Sequence, residues 1–319
     1  MCFFQCHQTS AQRMTREEEF LKKKDLFRRN AFLIIKEMLH LSPRHPSVLV
    51  DEVLHSIFFL GEINIPRYSP YDIVSDDDML NVLKGRYPQP FKFCSSQLPK
   101  RSPISCVLDM MVFLIKQKNE NEIIRRLREL IRQLKQDEAT DLVSSVICVS
   151  QPNKTPNSAR YYGVSMSTSG RNPGRIMIAA SCLSTWETYV AGAVMTYYPK
   201  KEKKPYFDGT IKLPVQVRCQ AFSLSQETEM PPCRSCGNLF GLETSEKKEW
   251  PYGNCAEVES VSNLLKNERE VEEQARPTSD TCTEANRQEA KRSVLKELTA
   301  SLRMLGFKWD NNFYTPQAV

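Results

Sequence analysis

The sequence predicts an α+β fold in which a helical domain, residues 1–150, precedes a domain of strands and helices, residues 159–319. Apolar residues recur at helical spacing through the first half, whereas β-prone runs separated by turn residues begin after residue 160. The segment 151–158 between them contains two prolines among Asn and Ser residues, which is typical of a linker. A chain of 319 residues is also long enough for two domains.

The N-terminal helices are predicted from start signals and apolar stripes. Thr15-Arg16-Glu17-Glu18 is typical of a capping box, and an apolar stripe follows it until Pro43. From Asn119 to Lys135, isoleucines and leucines form one face opposite four arginines, which predicts an amphipathic helix. Its basic face is expected to be solvated, with contact to phosphates as the alternative. Further helices are predicted near Pro46, after the acidic run Ser75-Asp76-Asp77-Asp78, and from Ser102-Pro103 through Ile115.

The second domain is expected to open with a β-hairpin. Tyr161 to Thr168 and Arg175 to Cys182 are β-prone runs on either side of a Gly- and Pro-containing loop. The segment Leu183 to Tyr198 can form a helix. Its threonines, together with Tyr189 and Val190, are residue types common in strands, so a strand is the alternative. Leu213 to Leu224 is predicted to be a strand that leads into a cysteine motif.

The C-terminal part is predicted to be mainly helical. An amphipathic helix is expected after Cys255, then a mobile, charged connection at residues 266–288. A final helix is expected from about Glu289 to Leu305, ended by Gly306. The aromatic residues that follow are expected to dock onto the core: Phe307, Trp309, Phe313 and Tyr314.

Composition limits the classes of function. With 44 Lys and Arg against 38 Asp and Glu, the net charge is +6 and the pI near 8.7, which permits contact with phosphates but falls short of a dedicated nucleic-acid binder. No apolar run approaches the roughly 20 residues of a membrane span, and no signal peptide is recognisable, so we expect an intracellular protein, cytoplasmic or nuclear, with no membrane partner.

The cysteines, rather than the histidines, are the candidate metal ligands. Eleven cysteines without an export signal are expected to be reduced thiols or metal ligands. The four histidines lie far in sequence from the cysteine motifs and are expected to have structural or surface roles: His7, His40, His45 and His55.

Two short motifs near the C-terminus carry the chemistry. The first motif is Pro232-Cys233-Arg234-Ser235-Cys236, and the second is Gly253-Asn254-Cys255-Ala256-Glu257. Eighteen residues lie between Cys236 and Cys255. Catalytic zinc sites keep three protein ligands and leave the fourth position to water. We therefore predict that Cys233, Cys236 and Cys255 bind Zn²⁺, and that Glu257 is a catalytic proton carrier outside the metal's ligand set.

These motifs resemble those of the cytidine deaminase superfamily. Tyr252-Gly253-Asn254-Cys255-Ala256-Glu257 is similar to the Gly-x-Cys-Ala-Glu motif that opens one zinc helix of free-nucleoside cytidine deaminases, and Pro232 to Cys236 is similar to the motif that opens the other. The resemblance covers residues 159–319 and implies an α/β/α zinc domain. It also implies hydrolytic deamination of a cytosine or adenine base in a nucleoside, nucleotide or nucleic acid.

The order of the two motifs departs from that family. In its familiar members the Cys-Ala-Glu motif comes first, whereas here it follows the Pro-Cys-x-x-Cys motif. The segment directly after the predicted hairpin, Ser184-Thr185-Trp186-Glu187, contains no ligand at the right spacing. Either a permuted connection returns the Cys-Ala-Glu helix to its usual place, or the chain has a different zinc fold.

Non-catalytic interpretations stay open from the sequence. A structural zinc knuckle or ribbon would need a fourth cysteine where Val258 stands, and Cys219 or Cys282 could replace it. Such a protein would be an interaction protein whose helical N-terminal half provides a surface for a protein partner. A chain without a metal is also possible, whereas a redox Cys-x-x-Cys pair lacks its expected βαβ context.

Overall fold

A computed structural model describes residues 26–42 and 47–317 of the chain. Helices dominate the first part, and a small sheet with further helices forms the second. In chain order the helices are α1 (26–41), α2 (Ser47–Glu62), α3 (Pro70–Ile73), α4 (Asp77–Arg86), α5 (Pro88–Phe93), α6 (Pro103–Ile115), α7 (Glu120–Leu134), α8 (Arg171–Ser184), α9 (Thr188–Tyr197), α10 (Arg234–Phe240), α11 (Ala256–Asn267), α12 (Arg269–Gln274) and α13 (Glu284–Met304).

The sheet has four antiparallel strands in the order β2-β1-β3-β4. They are β1 (Val146–Gln151), β2 (Tyr161–Val164), β3 (Arg218–Ser223) and β4 (Glu229–Met230). In the register, Cys148 of β1 lies opposite Gly163 of β2 on one side and Ala221 of β3 on the other. The described residues therefore form a mixed fold of helices and an antiparallel sheet. This agrees with the α+β class that the sequence predicts.

The predicted N-terminal helices are largely confirmed. The helices predicted from Pro46, Ser102 and Asn119 correspond to α2, α6 and α7. The acidic run also starts a helix, because the Asp76 side chain caps α4 by accepting from the backbone N–H of Met79 at 2.8 Å. The predicted capping box at residues 15–18 lies outside the described residues.

Helix α11 lies directly against the sheet and contacts β1, β2 and β3. Small residues make this close approach possible. A Cβ at Gly163 would lie 2.3 Å from the backbone nitrogen of Ser260 and 2.5 Å from the carbonyl oxygen of Ala256. The Ser150 and Ser260 hydroxyls also meet at 2.9 Å across this interface. Since strand side chains alternate between faces, Ile147 and Val149 of β1 point away from α11 into the apolar core.

The predicted hairpin is wrong in its second strand. Tyr161–Val164 is a strand, but its partner is β1, and Arg175 to Cys182 lies within helix α8. The physical reason is burial on several sides: α8 contacts both α9 and α13, and the whole run from Ile176 to Cys182 is buried. A short continuous apolar run does not distinguish a buried helix from a buried strand.

Two other expectations need correction. The strand predicted from Leu213 begins only at Arg218, because Pro214 and Val217 close a turn before it. The charged segment 266–288 contains helix α12 and the start of α13, where Val271 and Ala275 are buried. This segment contains few apolar residues, but Val271 and Ala275 pack on the core and hold it in place. Helix α13 ends as predicted, just before Gly306 with φ of +67°.

The C-terminal aromatic residues dock as predicted. The Phe307 ring meets Phe59 of α2 edge-on at 5.1 Å between centroids, and the Tyr314 ring stacks on His55 of α2 at 3.7 Å. Backbone hydrogen bonds join Leu98 to Asn312 and Tyr314. The tail therefore ties the end of the chain to the N-terminal helices.

Strand β1 ends at Gln151, the first residue of the predicted linker 151–158, and pairs with two strands beyond the linker. Residues 152–158 form bends and turns between β1 and β2. Division of the chain into domains 1–150 and 159–319 stays a prediction. None of the helices in residues 26–42 and 47–317 combines the length and hydrophobicity needed to cross a bilayer.

Candidate metal centre

The first two cysteines lie at the start of α10. Cys233 is the N-cap residue in an extended conformation, and Cys236 lies one turn later and is fully buried. The backbone N–H of Gly237 donates to the carbonyl of Cys233 at 3.0 Å, which closes this turn. Gly241, with φ of +65°, ends the helix in the left-handed conformation that glycine adopts without strain.

The third cysteine lies at the start of α11. Cys255 is its N-cap residue, and Gly253 precedes it with φ of +96°. A Cβ at Gly253 would lie 2.6 Å from Ile178 of α8, so this turn needs glycine both for its backbone angle and for its space. The N–H of Met166, just beyond β2, donates to the carbonyl of Asn254 at 3.0 Å and holds the turn beside the sheet.

The connection between α10 and α11 folds back on α10. The Ser235 hydroxyl donates to the carbonyl of Trp250 at 2.7 Å, and the Asn238 side chain donates to the Tyr252 hydroxyl at 2.8 Å. The N–H of Arg234 also donates to the carbonyl of Lys248 at 3.1 Å. These contacts bring the N-termini of the two helices together.

The three sulfurs meet where the two helices begin. Those of Cys233, Cys236 and Cys255 lie within 4.8 Å of one another, and those of Cys233 and Cys255 are 3.4 Å apart. Hydrogen bonds from the other two thiols, together with N–H groups of the first turn of α10, lower the pKa of Cys233. Hydrogen bonds with the thiols of Cys233 and Cys255, followed by burial, raise the pKa of Cys236. These three cysteines are close enough to bind a metal ion.

Glu257 lies in the first turn of α11, two residues after Cys255. It is 5% exposed, and its burial raises the pKa of its carboxyl to about 7. Carboxyls with a pKa near the working pH are suited to both accept and donate a proton. Glu257 is therefore placed beside the sulfurs, in an environment that favours proton exchange.

A cavity of about 390 Å³ opens onto Cys233, Cys255 and Glu257. Its volume lies in the range of small-molecule sites. In its lining, Met166 is apolar, Trp250 is aromatic and Asn254 carries an amide group. The remaining wall comes mainly from the ends of the four strands, including Ser145, Ser165, Ser223, Ser225, Gln226 and Met230.

Sequence reasoning did not identify Glu259 or the cavity residues Trp250 and Asn254. The Glu259 carboxylate accepts from the backbone N–H of Val164 at 2.8 Å and so joins α11 to β2. Its burial raises the pKa of this carboxyl to about 7. No local pattern could reveal this contact, because its partners are 95 residues apart. Trp250 and Asn254 closely precede the Cys-Ala-Glu motif in the sequence. This nearness was the only signal that could have identified them as site residues.

No fourth cysteine joins the cluster among residues 26–42 and 47–317. Val258, at the position of a fourth ligand, is fully buried in the apolar core. The sulfur of Cys219 lies 3.6 Å from that of Cys148, and the sulfur of Cys282 accepts from Arg287 at 3.4 Å. Cys2 and Cys6 lie outside the described residues.

The other candidate residues take separate positions. His55 is buried in the N-terminal helices and His40 is exposed, whereas His7 and His45 lie outside the described residues. The basic face of α7 is partly neutralised, since Arg125 pairs with Glu122 and Glu129 and Arg126 pairs with Glu122.

Comparison of the chain with protein-family models, curated proteins and solved structures found no match.

Proposed function

We propose that the protein is a zinc-dependent hydrolytic deaminase that acts on a cytosine or adenine base. The observation that carries this proposal is the placement of three cysteine sulfurs at two converging helix N-termini, with the buried Glu257 beside them on the wall of a cavity. The sequence resemblance to the cytidine deaminase superfamily supplies the reaction type.

The donor set fits zinc. Thiolates are soft ligands that suit Zn²⁺, and Zn–S bonds of about 2.3 Å in a tetrahedron place sulfurs about 3.8 Å apart. The sulfurs here lie within 4.8 Å, a spacing that needs only small side-chain movements to reach that geometry. When bound, zinc would supply the Lewis acidity that activates water at neutral pH.

The chain's own residues would bind the base and move the proton. Water adds to the ring carbon that bears the amino group, the carbon–nitrogen bond breaks, and ammonia leaves. Glu257 would take a proton from the attacking water and deliver it to the departing nitrogen. Its position supports both halves of this transfer, because the buried carboxyl lies on the wall of the cavity, beside the sulfurs that would hold the metal.

The position of α11 supports a permuted arrangement. Although it follows α10 in sequence, it packs on β1, β2 and β3 and brings Cys255 to Cys233. This is the behaviour expected if the Cys-Ala-Glu helix returns to its usual place on the sheet by a different connection.

Replacement of Glu257 tests the catalytic role. Glu257→Gln keeps the shape of the side chain but removes the titrating proton, so base conversion should fall at least about 100-fold. Zinc content and melting temperature should stay close to those of the wild type. Mass spectrometry of cytidine, adenosine and cytosine- or adenine-containing oligonucleotides measures the conversion. The matched control is Glu270→Gln, an exposed position on α12, which should leave turnover unchanged.

Two results would overturn these assignments. If Glu257→Gln expels zinc, Glu257 is a metal ligand and not a proton carrier. If the zinc-loaded wild type converts none of these substrates, the site is not catalytic towards them.

The alternative is a non-catalytic interaction protein with a structural zinc. Exposed apolar residues in the helical part favour a partner surface there: Ile65, Tyr71 and Val82 are 81%, 54% and 65% exposed. This interpretation predicts that the metal site affects only stability, and Glu257→Gln would then change neither zinc content nor any activity.

A further inference from the structure

A second cleft adjoins the cavity of the metal centre. It has a volume of about 700 Å³, and Trp250 and Asn254 line both spaces. One wall is the start of α8, and the other is the loop after α9. The two walls are linked, because the Tyr198 hydroxyl donates to the carbonyl of Arg175 at 3.2 Å and the Arg175 guanidinium donates to that of Pro199 at 3.4 Å.

This cleft is strongly basic. Arg171 and Arg175 lie one turn apart on α8, and Lys200 and Lys201 lie on the opposite loop. Within residues 26–42 and 47–317, none of these four side chains forms an ion pair with a carboxylate. Glu202 is the acidic residue in the lining. The cleft therefore carries excess positive charge that an anionic ligand would compensate.

Trp250 stands between the two spaces. It is 43% exposed, and the Lys248 ammonium lies 4.0 Å from the centre of its ring. Proteins that bind single-stranded nucleic acid combine a positive groove for the phosphates with exposed aromatic rings on which bases stack. The cleft with Trp250 has both of these elements.

We propose that this basic cleft binds the phosphate backbone of a single-stranded nucleic acid whose target base enters the adjoining cavity. The proposal rests on the proposed deaminase function and names its substrate class. A nucleoside monophosphate has one phosphate group, which cannot use four cations on two walls. A duplex would first have to expose its base, since the reacting atom is out of reach within the stack.

Binding of labelled oligonucleotides tests this assignment. Fluorescence anisotropy with full-length, zinc-loaded Glu257→Gln protein would use single strands of about 12 nucleotides, as RNA and as DNA, and the matching DNA duplex. Lys200→Ala with Lys201→Ala should weaken single-strand binding about tenfold, and the salt dependence should lose about 0.7 in slope for each phosphate contact removed. Both lysines are exposed, so the fold should tolerate the change.

Two further variants complete the comparison. Arg171→Ala removes charge from the other wall without breaking the hydrogen bond from Arg175 to Pro199, and it should also weaken single-strand binding. Lys84→Ala with Arg86→Ala, on α4 and away from both spaces, is the matched control and should leave binding unchanged. Melting temperatures would verify that each variant is folded.

The outcomes separate this inference from the proposed function. Equal single-strand binding by all variants, or binding of cytidine monophosphate, cytidine triphosphate or the duplex as tight as that of the single strand, would overturn the cleft assignment. If the wild type converts free nucleosides but binds no oligonucleotide, the deaminase proposal stands and the cleft proposal fails. If cleft variants lose oligonucleotide binding but the wild type converts no base, the cleft proposal stands and the deaminase proposal fails.

Discussion

Burial shifts the pKa values of individual side chains in this protein, among them His55 and Asp51. The His55 ring is fully buried against Tyr314, and burial lowers its pKa from 6.5 to about 3. The Tyr314 hydroxyl in turn donates to the carboxylate of Asp51, whose pKa burial raises. At neutral pH, His55 is therefore a neutral stacking partner for Tyr314, which agrees with the structural or surface role expected from the sequence.

His55 should make the folded state sensitive to acid. Between pH 6.5 and pH 3 the unfolded chain binds a proton at this position that the folded chain does not, so stability falls as pH falls, by up to about 1.4 kcal/mol per pH unit. His55→Phe keeps an aromatic ring but cannot titrate, and its stability should depend less on pH in this window. Urea unfolding at pH 7 and pH 5 measures the difference. His40→Gln, at an exposed position, is the control, and parallel pH profiles for wild type and His55→Phe would contradict the assignment.

At the scale of elements, the contact between α11 and β2 sets the position of Cys255 and Glu257. Gly163 is the residue on which it depends most, because backbone atoms of α11 occupy the space that any side chain would need. Glu259 adds a hydrogen bond to the same strand. The candidate metal centre is consequently held by a helix-to-sheet contact as well as by its own loops.

Gly163→Ala should separate α11 from β2. Its Cβ would meet two backbone atoms at 2.5 Å or less, so we expect a loss of about 3 kcal/mol or more in the free energy of unfolding, together with weaker zinc binding. Gly85→Ala is the matched control: no atom lies within 4 Å of its Cβ, and alanine in α4 should stabilise the protein by about 0.5–1 kcal/mol. Chemical denaturation measures both changes, and an unaffected Gly163→Ala protein would refute this account of the interface.

Local patterns predicted some elements and missed others for physical reasons. Helices α2, α6 and α7 have clear start signals, and α7 has an apolar face, so they were predictable. Helix α8 was taken for a strand because its buried run carries no polar face. The cysteines and Glu257 were found through local spacing, whereas Trp250 and the basic cleft depend on how distant segments meet.

Across the whole molecule, the helical part and the sheet share structure. Strand β1 supplies a partner to both β2 and β3. Glu120 at the start of α7 pairs with Arg160 at 3.0 Å and with Arg218 of β3 at 2.8 Å. Burial alone would raise the pKa of Glu120, but the two arginines outweigh this effect and lower it. These contacts join segments on both sides of the predicted linker.

A fragment that begins at residue 159 tests the predicted domain boundary. It lacks β1, so β2 and β3 lose the strand that pairs with both, and their backbone groups lose those hydrogen bonds. We expect the fragment 159–319 to show no cooperative thermal transition, whereas the full chain does. Differential scanning calorimetry measures both. A sharp transition in the fragment would instead support an independent C-terminal domain.

The central claim is an open site with three cysteine ligands, and X-ray absorption at the zinc edge of the full-length protein tests it most directly. We expect one zinc per chain with three sulfurs at about 2.3 Å and one oxygen or nitrogen ligand at about 2.0 Å. Four sulfurs around the zinc would show that a further cysteine closes the site and that its role is structural, and folded protein without zinc would contradict the metal centre itself.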